Sequence, residues 1–404
     1  MEPLRVLFTA RHLDHGGVTK HMTDLGSRLV ERGHHVAIAS NGPRLDSGGK
    51  NISEVEALGL RHFVVPFPRP GDGRHPLNSS LSAARALGRV VDDFEPKLLH
   101  VAWRSTSPFA QLLRITHGIP FMSTLHSSDI PSSRLLRQLS FWGRPAIAIS
   151  EETRVNLVKD FGVPEARVRT IVNGADERHF RVPSASERTL ARSALGVHHD
   201  GFTIVVVARL MRVKGQDIVL RAMRDLVQAV PNAMLLLAGA DYGFEAELRA
   251  VTSALGLEGS VRFLGHTDPL FALWASDVFV LTSHQEGFAI VVPEAMLCGL
   301  PVIRTPAGGA LEQIIEGENG YVVPFDDPAT LAHRLLEYSR DSALRAEHAR
   351  SATVTAQERF TLKAMTNAYL DAYLDAIHGG NTGKRPPLPA SHYSAQDQGK
   401  TRQK

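Results

Sequence analysis

Short apolar runs separated by segments of helical period dominate this chain, and few folds accommodate that rhythm. Residues 4–10 read as a buried strand, 18–32 as a helix stopped by Gly33, and 35–40 as the next strand. Further strand-length runs fall at 98–103, 121–125, 146–150 and 168–172, with helical stretches at 108–116 and 151–160 between them. Residues 181–200 interrupt the rhythm with Pro183, Ser184, Ser186, His198, His199 and Asp200. It then restarts, with strands at 202–208, 233–238, 261–264, 278–282 and 301–304, and helices at 216–230, 245–255 and 293–298. Apolar strands that alternate with helices bury both faces of a sheet only as parallel βαβ units. The expectation is an α/β protein with one unit over residues 1–180, a linker over 181–200 and a second unit over 201–355. Residues 345–377 read as helical, and 379–404, rich in Gly, Asn, Thr, Lys, Pro, Ser and Gln, as a disordered tail.

Composition removes several function classes. Lys plus Arg number 45 against 42 Asp plus Glu, an excess too small to argue for nucleic acid. Cys298 is the one cysteine, so no intrachain disulfide forms and a reducing compartment fits. The opening apolar run is too short to span a membrane and lacks the basic start and cleavage site of a signal peptide. The expected location is the cytoplasm.

The segment from Thr282 to Glu294 is richest in chemistry. It follows the strand at 278–282, and ligands of open α/β sheets bind beyond the carboxyl ends of the strands. Pro293 suits the first position of a helix, which puts Glu294 in its first turn and Glu286 in the loop before it. Two carboxylates can accept hydrogen bonds from two separate diols, one on a sugar and one on a ribose. The alternative is that Glu294 complements a helix dipole and Glu286 is merely solvated. Arg209 directly follows the strand at 202–208 and Lys214 precedes Gly215, so together they can clamp a diphosphate.

Gly16 and Gly17 lie between the first strand and helix, where glycine permits close backbone approach or simply punctuates the turn. Neither the Gly-x-x-x-x-Gly-Lys loop nor the Gly-x-Gly-x-x-Gly fingerprint is present. His126 ends the strand at 121–125, placed for a sugar hydroxyl or for acid–base work, although a lone histidine is more often structural. No His or Cys spacing reads as a zinc site, and no Asp-x-Asp is present to chelate a diphosphate-bound metal. Neither a metal nor another cofactor is expected. Residues 133–144 combine Arg134, Arg137 and Arg144 with Leu and aromatic residues, Trp142 among them. Such a basic helix either packs on the first unit, the preferred reading, or lies on an anionic membrane.

With these residues in place, the chain resembles the retaining glycosyltransferases of family 4. The resemblance runs from the first strand to about residue 377. It rests on an ordered set: Gly16-Gly17, Thr124-Leu125-His126, Ala148-Ile149-Ser150, residues 171–176, Arg209 to Gly215, Phe263-Leu264-Gly265, and Glu286 spaced eight positions before Glu294. It implies a GT-B fold, two facing doubly wound Rossmann-like domains with an interdomain cleft, and a C-terminal helix (356–378) that crosses back to the first domain.

It also implies roles. Gly16 and Gly17 would approach the donor phosphate, and Arg209 and Lys214 would hold the diphosphate. Glu286 would bind the transferred sugar with the backbone amides of Phe288, Ala289 and Ile290. Glu294 would bind the ribose, Phe263 and Leu264 would border the base, and His126 would contact the donor sugar. Ala289 departs from the family's usual Gly or Ser, and His284-Gln285 is an individual variation near the sugar. The reading is transfer of a hexose or N-acetylhexosamine from a nucleoside-diphosphate sugar, UDP-linked by the resemblance, to a small-molecule, lipid-linked or polysaccharide acceptor. The alternatives are a nucleotide-sugar epimerase on the same architecture and a non-catalytic carbohydrate-binding protein.

Overall fold

The computed structural model describes residues 2–14, 16–43, 52–68, 76–127 and 134–379. Two separate parallel sheets carry the chain. The first contains β1 (Arg5–Thr9), β2 (His35–Ser40), β3 (Arg61–Val64), β4 (Leu98–Val101), β5 (Phe121–Leu125), β6 (Ala146–Ala148) and β7 (Val168–Thr170), in the order β3-β2-β1-β4-β5-β6-β7. The second contains β8 (Thr203–Val207), β9 (Met234–Ala238), β10 (Val261–Gly265), β11 (Val278–Leu281), β12 (Val302–Arg304) and β13 (Gly320–Val322), in the order β10-β9-β8-β11-β12-β13. Each order reverses beside the first strand of its unit, at β1/β4 and at β8/β11. The connections there leave in opposite directions and open a crevice at the strands' carboxyl ends.

Central strands are apolar on both faces. Val6 pairs with Val36 and Leu98, and all three are buried. The two strands not expected from sequence, β3 and β13, each end a sheet. An edge strand covered on fewer sides needs no continuous apolar run, and Arg61 and Val64 of β3 are exposed.

Three segments differ from expectation. The stretch read as a linker contains the helix Ala185–Ala194, begun by a reciprocal capping box between Ser184 and Glu187. Ala191 and Val197 join the core of the second unit, and Arg188 donates to the carbonyls of Trp274 and Ser276 and to Asp277. The polar surface of this helix hid its single apolar stripe.

The helical reading of 345–377 divides into Ser342–Arg359 and Leu362–His378. At the break the Ala175 amide donates to Phe360 O (2.9 Å) and the Leu362 amide to Ala175 O (2.8 Å). The two crossings between the units therefore run side by side. A Cβ on Gly174 would lie 2.4 Å from Thr361 O, so only glycine allows that approach. Beyond the break, Leu362, Met365, Tyr369 and Tyr373 pack with Val6, Leu25 and Met122 of the first unit.

The basic helix expected over 133–144 is confined to Arg134–Gln138. Trp142 lies beyond it, its ring 5.2 Å from Phe161 and packed against the cluster around Leu157, while Arg137 is exposed. Position 133, the Arg134 side chain and the tail from 380 onward lie outside the described residues. No described helix is long and apolar enough to cross a membrane.

Candidate active site

The second unit supplies a charged cluster at the ends of β8 and β11. Arg209 follows β8, its carbonyl accepting from Gln216 Nε2 (2.8 Å) and its guanidinium 5.1 Å from the Tyr242 ring centroid. Lys214 closes a short 3-10 turn, and Gly215 takes φ +63°. A Cβ there would meet Thr282 O at 2.4 Å. Thr282 Oγ1 donates to Gly215 O (2.7 Å) and the His284 amide to Val213 O (2.8 Å), so the two loops are stitched together. The result is a contact of 2.6 Å between Lys214 Nζ and Glu286 Oε1, with both side chains largely buried. Behind them Arg304 is fully buried. Burial pulls its guanidinium down to about 10, against the opposing pull of Glu286, Glu312 and Glu152. Arg304 donates to Ala307 O (2.9 Å) and Gly308 O (3.1 Å), which fixes the loop beside Glu286.

Glu294 lies in the helix Val291–Leu297, which starts two residues earlier than expected, so Pro293 occupies its third position. That amide has no intrahelical partner either, so proline is tolerated there. The Phe288, Ala289 and Ile290 side chains are buried, with Phe288 edge-on to Phe360 at 5.7 Å and Ala289 O accepting from Gln313 Nε2 (3.0 Å). His284 does not face Glu286. Its ring stacks on Phe325 (5.9 Å) and its Nε2 lies 2.9 Å from Asp326 Oδ1. Phe263 and Leu264 lie in the last residues of β10 before Gly265, where Arg249 covers the Phe263 ring at 4.2 Å and Leu264 packs on the core around Phe279. Cys298 is buried, which pushes its thiol far up and leaves it inert.

The first unit faces this cluster. Gly16 caps the helix Gly17–Glu31, and its amide donates to Asp14 Oδ1 (2.9 Å). A Cβ on Gly17 would meet nothing within 4 Å, so its backbone borders open space. His126 sits after β5, its Nε2 enclosed and without a hydrogen-bond partner. Burial, aided by His21 and His100, holds its imidazole well below the usual range, so it is neutral at pH 7.

His21 lies 4.7 Å from that ring, and its Nδ1 donates to Asn173 Oδ1 (2.9 Å). Burial lowers His21 to about 4, against the Asn173 bond. His100 Nδ1 is 2.8 Å from Tyr373 Oη and Nε2 is 2.7 Å from Thr124 Oγ1, which ties the histidines to the C-terminal helix.

Three contacts close the units on each other. A Cβ on Gly287 would lie 2.2 Å from His126 O. Glu312 accepts from the Glu151 amide at 2.5 Å. Lys20 Nζ, from the first helix, lies 3.5 Å from Glu294 Oε1. His126 therefore lies against the loop that carries Glu286, and the helix that follows Gly16 and Gly17 reaches Glu294 through Lys20. Sequence reasoning missed Lys20, Arg304, His21 and Gly287. The spacing of Lys20, one turn past Gly16, was the only available signal. Among the described residues no group of three His, Cys, Asp or Glu side chains could hold a metal ion.

Comparison with known proteins agrees with this geometry. The model for glycosyltransferase family 4 matches residues 15–179, and that for glycosyl transferases group 1 matches 187–355. N-acetyl-alpha-D-glucosaminyl L-malate synthase of Bacillus anthracis is 27% identical over 90% of this chain and 94% of its own. D-inositol 3-phosphate glycosyltransferase of Saccharomonospora viridis is 29% identical over 90% of each chain. The fold matches Anabaena Alr3699/HepE in complex with UDP at a TM-score of 0.80 and 23% identity, over 92% of this chain and all of that one. It matches sucrose-phosphate synthase from Thermosynechococcus elongatus at 0.77 and 20% identity, over 93% of this chain and all of that one.

Proposed function

The chain belongs to glycosyltransferase family 4 and has its GT-B architecture, and from that premise we propose that it moves a hexose or N-acetylhexosamine from a UDP-sugar to a small acidic acceptor with retention of anomeric configuration. The observation that carries this reading is the Lys214–Glu286 contact beside Arg209 at the β8/β11 switch point. Glu286 accepts from the sugar hydroxyls, while Lys214 and Arg209 face the diphosphate and stabilise the charge that grows as it departs. His126, neutral and at the cleft, donates to a hydroxyl of the same sugar. Glu294 accepts from the ribose, and the backbone of Phe263 and Leu264 borders the base. The backbone of Gly16 and Gly17, at a helix start, approaches the phosphate, with the Gly17 amide as donor because that of Gly16 is held by Asp14 Oδ1.

None of the carboxylates is assigned as a covalent nucleophile. The acceptor oxygen attacks the anomeric carbon from the face that the phosphate leaves. The carbon–phosphate-oxygen bond breaks, and the acceptor proton passes to the departing phosphate oxygen. Protein cations carry the charge, so turnover needs no divalent metal.

The acidic acceptor is supported by the opposite crevice. Arg11 and Arg104 follow β1 and β4, with Arg11 over the Trp103 ring at 5.1 Å and Arg104 held by Ser140 Oγ at 3.0 Å. The two relatives above are named for L-malate and inositol 3-phosphate, both acidic. The test is mass spectrometry of reactions combining UDP-sugars with hydroxy acids and polyol phosphates, with and without chelator. A new α-glycoside of an acidic acceptor is the expected product. Donor interconversion without acceptor would establish an epimerase, and release of free nucleotide during turnover would exclude a non-catalytic binding protein.

A further inference from the structure

Glu294 sits among groups that disfavour its charge. It is almost fully buried, and Asp24 from the first helix and Asp268 from the loop after β10 both press it toward protonation. Cys298, one turn on at the cap of the same helix, is neutral. The opposing group is Lys20, whose ammonium lies 3.5 Å from Glu294 and 3.0 Å from Asp24. Burial works against that ammonium, yet Glu294 and Asp24 together hold it above the usual lysine range. Lys20 belongs to the first unit and Glu294 to the second, so the contact exists only while the units are closed on each other. A protonated carboxyl cannot accept from both hydroxyls of a vicinal diol with charge-assisted strength, whereas the carboxylate can.

Resting on the ribose role given to Glu294 above, we propose that Lys20 is a positioning residue that keeps Glu294 ionised for the nucleotide ribose, and so makes tight donor binding depend on closure of the first unit over the second. Burial, partly offset by Lys20, raises Glu294 to about 7. UDP affinity therefore falls as pH drops through that value. Without the lysine the fall moves to higher pH.

Calorimetric titration of UDP into the full chain from about pH 6 to pH 9 reads this directly. Lys20→Met is expected to bind about tenfold more weakly than the wild type near pH 8 and to recover toward it at higher pH, while Lys20→Arg keeps the wild-type profile. A uniform loss at every pH in Lys20→Met, or an unshifted profile, overturns the inference and leaves the UDP-sugar reading standing. No UDP binding by the wild type at any pH overturns both. Circular dichroism of both variants separates misfolding from the effect, and the pH profile of Lys20→Arg decides the matter if Lys20→Met fails to fold.

Discussion

The two carboxylates of the cleft are each paired with a lysine, but in different ways. Glu286 and Lys214 lie 2.6 Å apart within one unit, on loops stitched together by Thr282 and by the amide of His284. Glu294 and Lys20 lie 3.5 Å apart on opposite units. The first pair is set inside the second unit, where two loops distant in sequence are bonded together, and it exists whether or not the units close. The second is assembled by closure. On the roles proposed above, the difference separates chemistry, which needs rigid preorganisation, from capture and release, which needs parts that can come apart.

Breaking the internal pair should have the largest effect. Glu286→Ala is expected to lower kcat about a thousandfold, because a contact to the reacting sugar is lost and Lys214 is left largely buried without its partner. Steady-state glycoside formation measures this, and undiminished turnover at saturating donor would remove Glu286 from the sugar. Lys214→Met should cost about a hundredfold in kcat with little change in acceptor KM. A full dependence on added Mg²⁺ in the wild type would instead show that the cations do not carry the phosphate charge.

Changes to the pair across the cleft should be smaller and should appear in binding. Glu294→Gln is expected to raise donor KM about tenfold with kcat nearly intact and to abolish the loss of UDP affinity below about pH 7. A kcat effect as large as that of Glu286→Ala would erase the distinction between the pairs. The smallest effect should come from Tyr373→Phe, which removes the hydroxyl 2.8 Å from His100 Nδ1. Stability should fall by about 1–2 kcal/mol in denaturant titration while the kinetics of both carboxylate sites stay unchanged.

Much of the fold was legible because parallel central strands are apolar on both faces. Runs such as Leu4 to Ala10 and Ile204 to Ala208 leave little choice. What escaped was less apolar or less continuous: β3 and β13 at sheet edges, and the helix Ala185–Ala194, whose capping box at Ser184 and Glu187 was its clearest signal. The break at Phe360 and Thr361 was also hidden, since no proline or glycine marks it. It is enforced by hydrogen bonds to Ala175, a residue 185 positions from Phe360 along the chain.

By itself the sequence determined the repeated βαβ order and which side chains stand at strand ends. That placed Arg209, Lys214, Glu286, Glu294, His126 and the Gly16-Gly17 turn, because strand length and helix period are local properties. Tertiary structure alone decided which charges meet. The Lys20 contact with Glu294, the approach of Gly287 to His126 O and the enclosure of Arg304 join residues far apart in the chain. Burial then sets their chemistry, raising Glu294 and lowering His126, because desolvation depends on what packs around a charge and not on its neighbours in sequence.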